Sequence, residues 1–280
     1  MYKSRLAVGS ANAKNMAEQG LPGPDDPYAR SDYRRLIAWR SRSEREGPFL
    51  TQLLERAPDR SVLDVGCGSG EHIAFFARSG ARAVGLDRSE TMLEQAREHE
   101  ERGEGRFVLG DAIRAASVLS AEPPFGMAIC LGNTVPHILE EDELRSVVES
   151  LCELLLPGGL FLLQILNYRR LIGQDIRHLP VNVRSEDGAK EVVFLRLLKN
   201  ESRERILFFP TTLVLDPTSD EPVSVARSRR VELRPWVAAD LRPIFESRGF
   251  RVSEYGDMQG GPYDETESHD LVLVASRERS

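Results

Sequence analysis

Three glycines, Gly66, Gly68 and Gly70, stand in VLDVGCGSG, directly after a short apolar run and before a helix-like segment opening at Glu71. Glycine tolerates backbone conformations closed to other residues. A Gly-x-Gly-x-Gly turn between strand and helix therefore lets the main chain approach a ligand closely. Two carboxylates follow at matching places: Asp87 ends the next apolar run, ARAVGLD, and Asp111 follows the third, RFVLGD. In an open parallel sheet these positions share the carboxyl edge, where ligands bind. A carboxylate beside the glycine turn can accept both hydroxyls of a ribose, each charge-assisted bond contributing roughly 1.5–3 kcal/mol. Asp111 is placed to accept from the exocyclic amine at the far end of an adenosine. Singly, such a triplet is a common turn and Asp87 could be a cap. In this order and at these spacings they point to an adenosine-containing ligand. The helix after the turn opens on Glu71 and brings no lysine, so a pyrophosphate is poorly served. No GxxxxGK[ST] motif is present, which removes a P-loop.

These groups need a scaffold, and the chain supplies one. Its 280 residues are 41 % hydrophobic and 29 % charged, enough to bury a full core without disulfide or metal staples. The net charge of −7 argues against a duplex nucleic acid as the main partner. No apolar run reaches the roughly 18–20 residues needed to span a bilayer. The N-terminus lacks the apolar stretch of a secretory signal. Cys67, Cys130 and Cys152 are far apart and form no CxxC pair, so neither a disulfide framework nor a structural metal site is expected. A cytoplasmic location fits best.

Fully apolar runs alternate with helical segments as far as GLFLLQIL (159–166), the pattern of a parallel sheet covered on both faces. Tyr33, Leu36, Ile37 and Trp39, then Phe49, Leu50, Leu53 and Leu54, recur at helical steps, and Gly47-Pro48 divides them into two helices. Ser89 is a natural N-cap. Glu140–Leu156 reads as an amphipathic helix closed by Pro157-Gly158-Gly159. Beyond Asn167 the rhythm changes to three strand-like runs (191–199, 205–216, 223–234), an antiparallel meander. The last of these carries Arg227, Arg229 and Arg230, with Arg227 and Arg229 on one face; that is a solvated sheet face or an anionic-substrate contact. We expect residues 1–27 to form a loose tail, with a lid as the minority reading. Residues 28–166 and 235–277 form the core, and 167–234 the insert, a substrate cap or an oligomer surface. A flat insert could support a homodimer.

The residues resemble the class I S-adenosylmethionine-dependent methyltransferases. VLDVGCGSG is similar to their first motif, LDRSETML to the second, GDAI to the third, and LLPGGLFLL to the segment that follows, over roughly residues 28 to 276. CLGNTVPHI (130–138), QILNYRRL (164–171), LRPW (233–236) and YGDMQGGPYD (255–264) resemble the glycine/sarcosine N-methyltransferase-like group more narrowly. The resemblance implies a doubly wound, seven-stranded Rossmann-like sheet with an antiparallel β insert in the C-terminal half. It implies S-adenosylmethionine as cofactor, S-adenosylhomocysteine as product, and a small-molecule acceptor, most simply an amine nitrogen. The cofactor shell would be Asp64, Gly66, Cys67, Gly68, Gly70, Asp87, Arg88, Met92, Asp111, Ala112, Leu131 and Arg42, with Asp87 on the ribose and Met92 near the adenine.

Arg42 would pair with the methionine carboxylate, or else lie on a solvated helix face. Cys67 would serve as a small packing residue. The catalytic wall would draw on Asn133, His137, Tyr33, Asn167 and Tyr263, with Tyr28 nearby. His137 is either a general base or amine positioner, or a loop histidine that packs the cofactor; Tyr33 and Trp39 are active-site or core residues. One departure is visible. The relatives place an arginine for the substrate carboxylate immediately before the Asn-Tyr pair, and here that residue is Leu166; Arg169, Arg170 or Arg234 could substitute. The competing readings are a nicotinamide-dependent oxidoreductase on a similar sheet, disfavoured by the glycine spacing and the lack of a Tyr-x-x-x-Lys pair, and a non-catalytic cofactor-binding protein.

Overall fold

The computed structural model describes residues 38–185 and 189–278. The expectations for the tail, Tyr28 and Tyr33 therefore lie outside the described residues. Among the described residues the first helix, α1 (Trp39–Arg56), is followed by β1 (Ser61–Val65), α2 (Glu71–Arg78), β2 (Arg82–Asp87), α3 (Glu90–Glu101), β3 (Arg106–Leu109), the short α4 (Ala115–Val118) and β4 (Phe125–Cys130). Next come α5 (Glu141–Leu154), β5 (Leu155–Leu166), α6 (Tyr168–Gly173) and five strands, β6 (Asn182–Ser185), β7 (Glu191–Asn200), β8 (Ile206–Leu215), β9 (Val223–Ser228) and β10 (Val231–Leu233). The chain closes with α7 (Ala238–Glu246), β11 (Phe250–Tyr255) and β12 (Asp270–Arg277).

Seven strands form one sheet in the order β11-β12-β5-β4-β1-β2-β3. Strands β1 to β5 are parallel, while β12 runs antiparallel to both β5 and β11. Strand order reverses at β1, and the ends of β1, β2, β4 and β5 open on one rim, the place where this architecture binds ligands. Alternate residues feed two cores. Leu63, Ala128, Phe161 and Leu163 pack with Leu144, Val148, Leu151 and Phe245, on the side of α5 and α7. Val62, Met127, Ile129 and Leu162 pack with Phe49, Leu53, Ile73 and Phe76, on the side of α1 and α2. Burial on both faces explains why these strands read as unbroken apolar runs.

The structure departs from the sequence expectations in three places. Pro48 lies inside a continuous α1 rather than between two helices. A proline in a helix interior costs about 3 kcal/mol. Phe49, Leu50, Leu53 and Leu54 are all buried behind it, and roughly 1.5–3 kcal/mol for each offsets that cost. Strand β5 starts at Leu155, four residues early. Its register against β4 passes from Phe125–Leu155 to Met127–Leu160, so Pro157-Gly158-Gly159 is accommodated as an irregularity within the strand, with Gly158 at φ 77°. The insert holds five strands, not three. β7 covers one edge of β8 along its whole length, and β9 and β10 lie end to end along the other, interrupted at Arg229 and Arg230. β6 and α6 carried too few apolar residues to be seen in the sequence. No helix among the described residues is long and apolar enough to cross a membrane.

The segment after β10 ties the insert to the rim. Trp236 is fully buried and its Nε1 donates to the Ile138 carbonyl at 3.0 Å. The Arg234 guanidinium stacks on the indole at 3.8 Å from its centroid, its amide donates to the Pro136 carbonyl at 2.8 Å and its Nη1 to that of Leu139 at 3.1 Å. Trp236→Phe leaves the Ile138 carbonyl without its donor and opens a gap beside it. We expect a loss of about 2–4 kcal/mol in urea denaturation; a change within about 0.5 kcal/mol, the level of ordinary surface substitutions, would show that this anchor is not structural.

Candidate functional site

The glycine turn is set by backbone geometry. Gly66, Gly68 and Gly70 have φ of 78°, 54° and 83°, in the left-handed region that side chains disfavour. A Cβ on Gly66 would stand 2.4 Å from Thr134 Cγ2, and one on Gly70 2.6 Å from the Phe107 ring. The amides of Gly66 and Cys67 donate to the Leu86 carbonyl (2.7 and 3.1 Å), which fastens the turn to β2. Asp87 completes the lock: Oδ2 accepts from the Gly68 amide at 2.7 Å and Oδ1 from the Ser89 amide at 2.9 Å. An ionised carboxylate offers about four lone-pair sites, and these amides use one on each oxygen. Ser89 caps α3 as expected, accepting from the Met92 amide at 3.2 Å.

A cavity of about 490 Å³ opens over this turn, within the usual range of small-molecule sites. On one side it runs past Asp87, Arg88 and Met92 to Asp111, Ala112, Leu131, Val135 and His137. Asp111 is exposed and caps the following turn through the Ile113 amide at 3.0 Å. His137 is half-buried. Loss of hydration, and then the Arg88 charge, push its pKa down to about 4, so the imidazole is neutral at neutral pH.

On the other side the cavity reaches Trp39 and Arg42 of α1 and His72 of α2. Arg42 Nε pairs with Glu46 Oε1 at 2.8 Å, and the guanidinium lies over Trp39 at 5.1 Å. Its Nη1 comes within 3.9 Å of the place a Cβ would occupy on Gly132, so it spans from the helix to the rim after β4. His72 Nε2 lies 3.2 Å from Glu46 Oε2, and its Nδ1 lies 3.9 Å from Asp64 Oδ2. The Gly132 amide donates to Gln164 Oε1 at 2.8 Å, and Gln164 Nε2 donates to Asp270 Oδ1 at 2.9 Å.

Of the residues expected to hold a cofactor, Arg42, Gly66, Cys67, Gly68, Asp87, Arg88, Met92, Asp111, Ala112 and Leu131 line this cavity, as does His137. Asp64 and Gly70 do not. Asp64 is buried beneath the turn, and Gly70 stands at the N-cap of α2. Three expected wall residues also lie off the lining. Asn133, at φ 68°, accepts from the Leu166 amide at 3.0 Å and donates to Tyr168 Oη at 2.9 Å, joining the ends of β4 and β5. Asn167 is buried, with Nδ2 donating to the carbonyls of Asp264, Glu265 and Ser268 and Oδ1 accepting from the Tyr263 hydroxyl at 3.3 Å. Asn167 and Tyr263 thus brace the loop before β12. Among the arginines considered as substitutes at the rim, Arg169 faces Glu265 at 3.8 Å, Arg170 contacts His269 at 3.1 Å, and Arg234 stacks on Trp236. None of the three lines the cavity. Arg227 and Arg229 are half-buried, while Arg230 is exposed and paired with Glu232 at 2.7 Å.

Sequence reasoning missed Glu46, His72, Gln164 and Asp270. Only Glu46 left a signal, standing one turn after Arg42 on the same helix face. The donor set suits the adenosyl sulfonium that the resemblance implies. A backbone cradle closed to any Cβ meets the Asp87 carboxylate, apolar walls follow on that side, and the Arg42 guanidinium stands at the opposite end. Asp87→Ala removes the brace of the turn together with the carboxylate that the resemblance puts on the ribose. We expect S-adenosylmethionine to bind at least tenfold more weakly by calorimetry; an unchanged dissociation constant would refute this role for Asp87.

Residues 62–159 match the family model described as a methyltransferase domain. The chain is 32 % identical over 151 residues to the glycine/sarcosine N-methyltransferase of Parasynechococcus marenigrum. That match covers 53 % of this chain and 54 % of the relative, about half of the relative's length. Among solved structures, an S-adenosylmethionine-bound amino pentose methyltransferase from Micromonospora echinaspora superposes with a TM-score of 0.66 at 19 % identity, over 99 % of this chain and 100 % of that one. A sugar N-methyltransferase from Streptoalloteichus gives 0.65 at 19 %, over 99 % and 97 %. Those two likenesses bear on the fold; with the matched methyltransferase domain and the turn, carboxylate and cavity described above, the chain belongs to the class I S-adenosylmethionine-dependent methyltransferases, with distant homology to the glycine/sarcosine N-methyltransferases.

Proposed function

We propose that the protein transfers a methyl group from S-adenosylmethionine to the nitrogen of a small-molecule amine. When bound, the cofactor supplies a methyl group already activated on a sulfonium. The chain's own task is alignment, which can contribute roughly 7–11 kcal/mol. Gly66, Gly68 and Asp87 fix the nucleoside, Met92 and Leu131 flank it, and Arg42 takes the carboxylate of the amino-acid tail. The acceptor enters over the rim between the ends of β4 and β5.

The observation that carries the choice of nitrogen is His137. A histidine whose conjugate acid forms only near pH 4 is a weak base. It accepts a hydrogen bond from an N–H without having to remove a proton before transfer. A neutral amine carries its own lone pair and needs no such removal, whereas a hydroxyl does. The names of the glycine/sarcosine and sugar N-methyltransferases support the same reading. In this reading the insert caps the acceptor or carries an oligomer contact. Val183, Val193, Leu213 and Val225 form one cross-strand row whose end members, Val183 and Val225, are exposed, which suits a second copy of the chain.

The test is a panel of amines, amino acids, amino sugars and phenols incubated with labelled S-adenosylmethionine, with products read by mass spectrometry. We expect N-methylated products from amines; methylation confined to hydroxyls would overturn the choice of nitrogen, and binding without turnover of any acceptor would favour a non-catalytic role. Sedimentation tests the second copy. Val225→Glu should shift a dimer to a monomer, and a wild type that is monomeric at all concentrations would remove the dimer.

A further inference from the structure

The cavity over the glycine turn also reaches inward, between the sheet and α5. Its wall includes Val147, Val148 and Leu151 of α5, Phe161 and Leu163 of β5 and Phe245 of α7, although none of these is more than 4 % exposed. All belong to the core on the side of α5 and α7. α5 starts at the rim, and the lining residues Leu144, Val147, Val148 and Leu151 recur at helical steps, so one face of the helix borders the cavity. Exposed Glu143 stands at the mouth, and Leu151 lies about 12 Å farther along the helix. Phe161 stands well before the end of β5 at Leu166, roughly 16 Å below the rim at the rise of a strand. Helix and strand thus give a similar depth.

The chemistry changes on the way in. Asp111, His137 and Glu143 stand at the rim; along α5 and β5 below it the lining is aliphatic and aromatic, and the Cys130 thiol is its most polar side chain. The backbone groups of β4 are engaged in the ladders to β1 and β5. A water molecule needs two to four polar partners and finds none among these side chains, so the branch is dry. A charge or an unpaired hydrogen-bonding group would be costly there. Close-packed cores leave few voids larger than a water molecule, and side chains around one forfeit contacts. At the deep end the rings of Phe161 and Phe245 are stacked, 5.5 Å apart and inclined at 25°. Lining and depth therefore fix the class of occupant: uncharged, without hydrogen-bonding groups, and small.

We propose that this inner branch is a binding site for a small apolar molecule, a single aromatic ring or a short alkyl chain, which enters from the rim and lies between β5 and α5. The site is separate from the polar end of the cavity, where Asp87, Arg42 and the amides of the turn stand. An occupant restores the contacts that Val148, Leu151, Leu163 and Phe245 lack on their cavity side. It binds the folded chain alone, so it raises the temperature of unfolding.

Toluene is the first probe, added to the full chain without any cofactor, with benzoate as its charged counterpart of similar shape. At ten times its dissociation constant toluene should raise the melting temperature by roughly 3–5 °C, and benzoate should not. Val148→Phe places a ring in the branch; we expect it to abolish the toluene shift. Xenon is the second probe: a crystal of the wild type under xenon pressure should show an atom between Val148, Leu163 and Phe245. No toluene shift together with no xenon at this place would overturn the proposal, as would an equal shift with benzoate or an undiminished shift in Val148→Phe. If that variant fails to fold, the position of xenon in the wild type decides. The cofactor is absent from every arm, so failure here leaves the proposed methyl transfer untouched.

Discussion

The Asp87 carboxylate joins the amide of Gly68, in the turn after β1, to the amide of Ser89, at the start of α3. Most of the site follows from that one bridge. It holds two adjacent strand ends in a fixed relation and keeps a negative charge at the switch point of the sheet. It works only because the turn can run through three left-handed residues, which glycine alone supplies without strain. The same geometry brings the Gly66 backbone against the Thr134 side chain, so the loops after β1 and β4 meet with only that side chain between them. At the turn itself, Gly66 and Gly68 present only main chain to the cavity, a shape that does not depend on rotamers.

Beneath that surface, buried charge comes at a cost to the fold. Asp64, Glu46, Asp87 and Asp270 cluster where burial disfavours charge, and one arginine of α1 stands among them. Glu46 stays ionised because it shares hydrogen bonds with His72 and Arg42. Asp64 has no such help. A fold optimised for stability alone would place an apolar side chain there, as at Val62 and Ile129 beside it.

The parallel core was legible because its strands are apolar on both faces, and a covered sheet leaves no other pattern. Local chemistry was equally readable: the glycine triplet, Ser89 as cap and Asp87 at a strand end each need only a few neighbouring residues. What the sequence hid are contacts that exist only once elements pack. Glu46, His72 and Asp64 come from α1, α2 and β1, and Gln164 meets Asp270 only through the antiparallel pairing of β5 with β12. Proline was over-read at position 48 because propensity is local and the burial that overrules it is not. Asn133 and Asn167 illustrate the reverse error. Both are polar residues at strand ends, yet their side chains are spent on satisfying backbone groups of neighbouring loops.

The two halves of the cavity are built to different tolerances. The half beside Asp87 is built on the glycine turn and the strand ends, fixed by the sheet. The half beside His137 is bounded by the 134–139 segment, which is held by hydrogen bonds from Arg234 and Trp236 of the segment that closes the insert. A change in the insert can therefore move His137 without disturbing Asp87. That separation is why a shared sheet says little about the acceptor. On the proposed function, the determinants of specificity belong to the insert and the loop it grips, away from the glycine turn that identifies the fold.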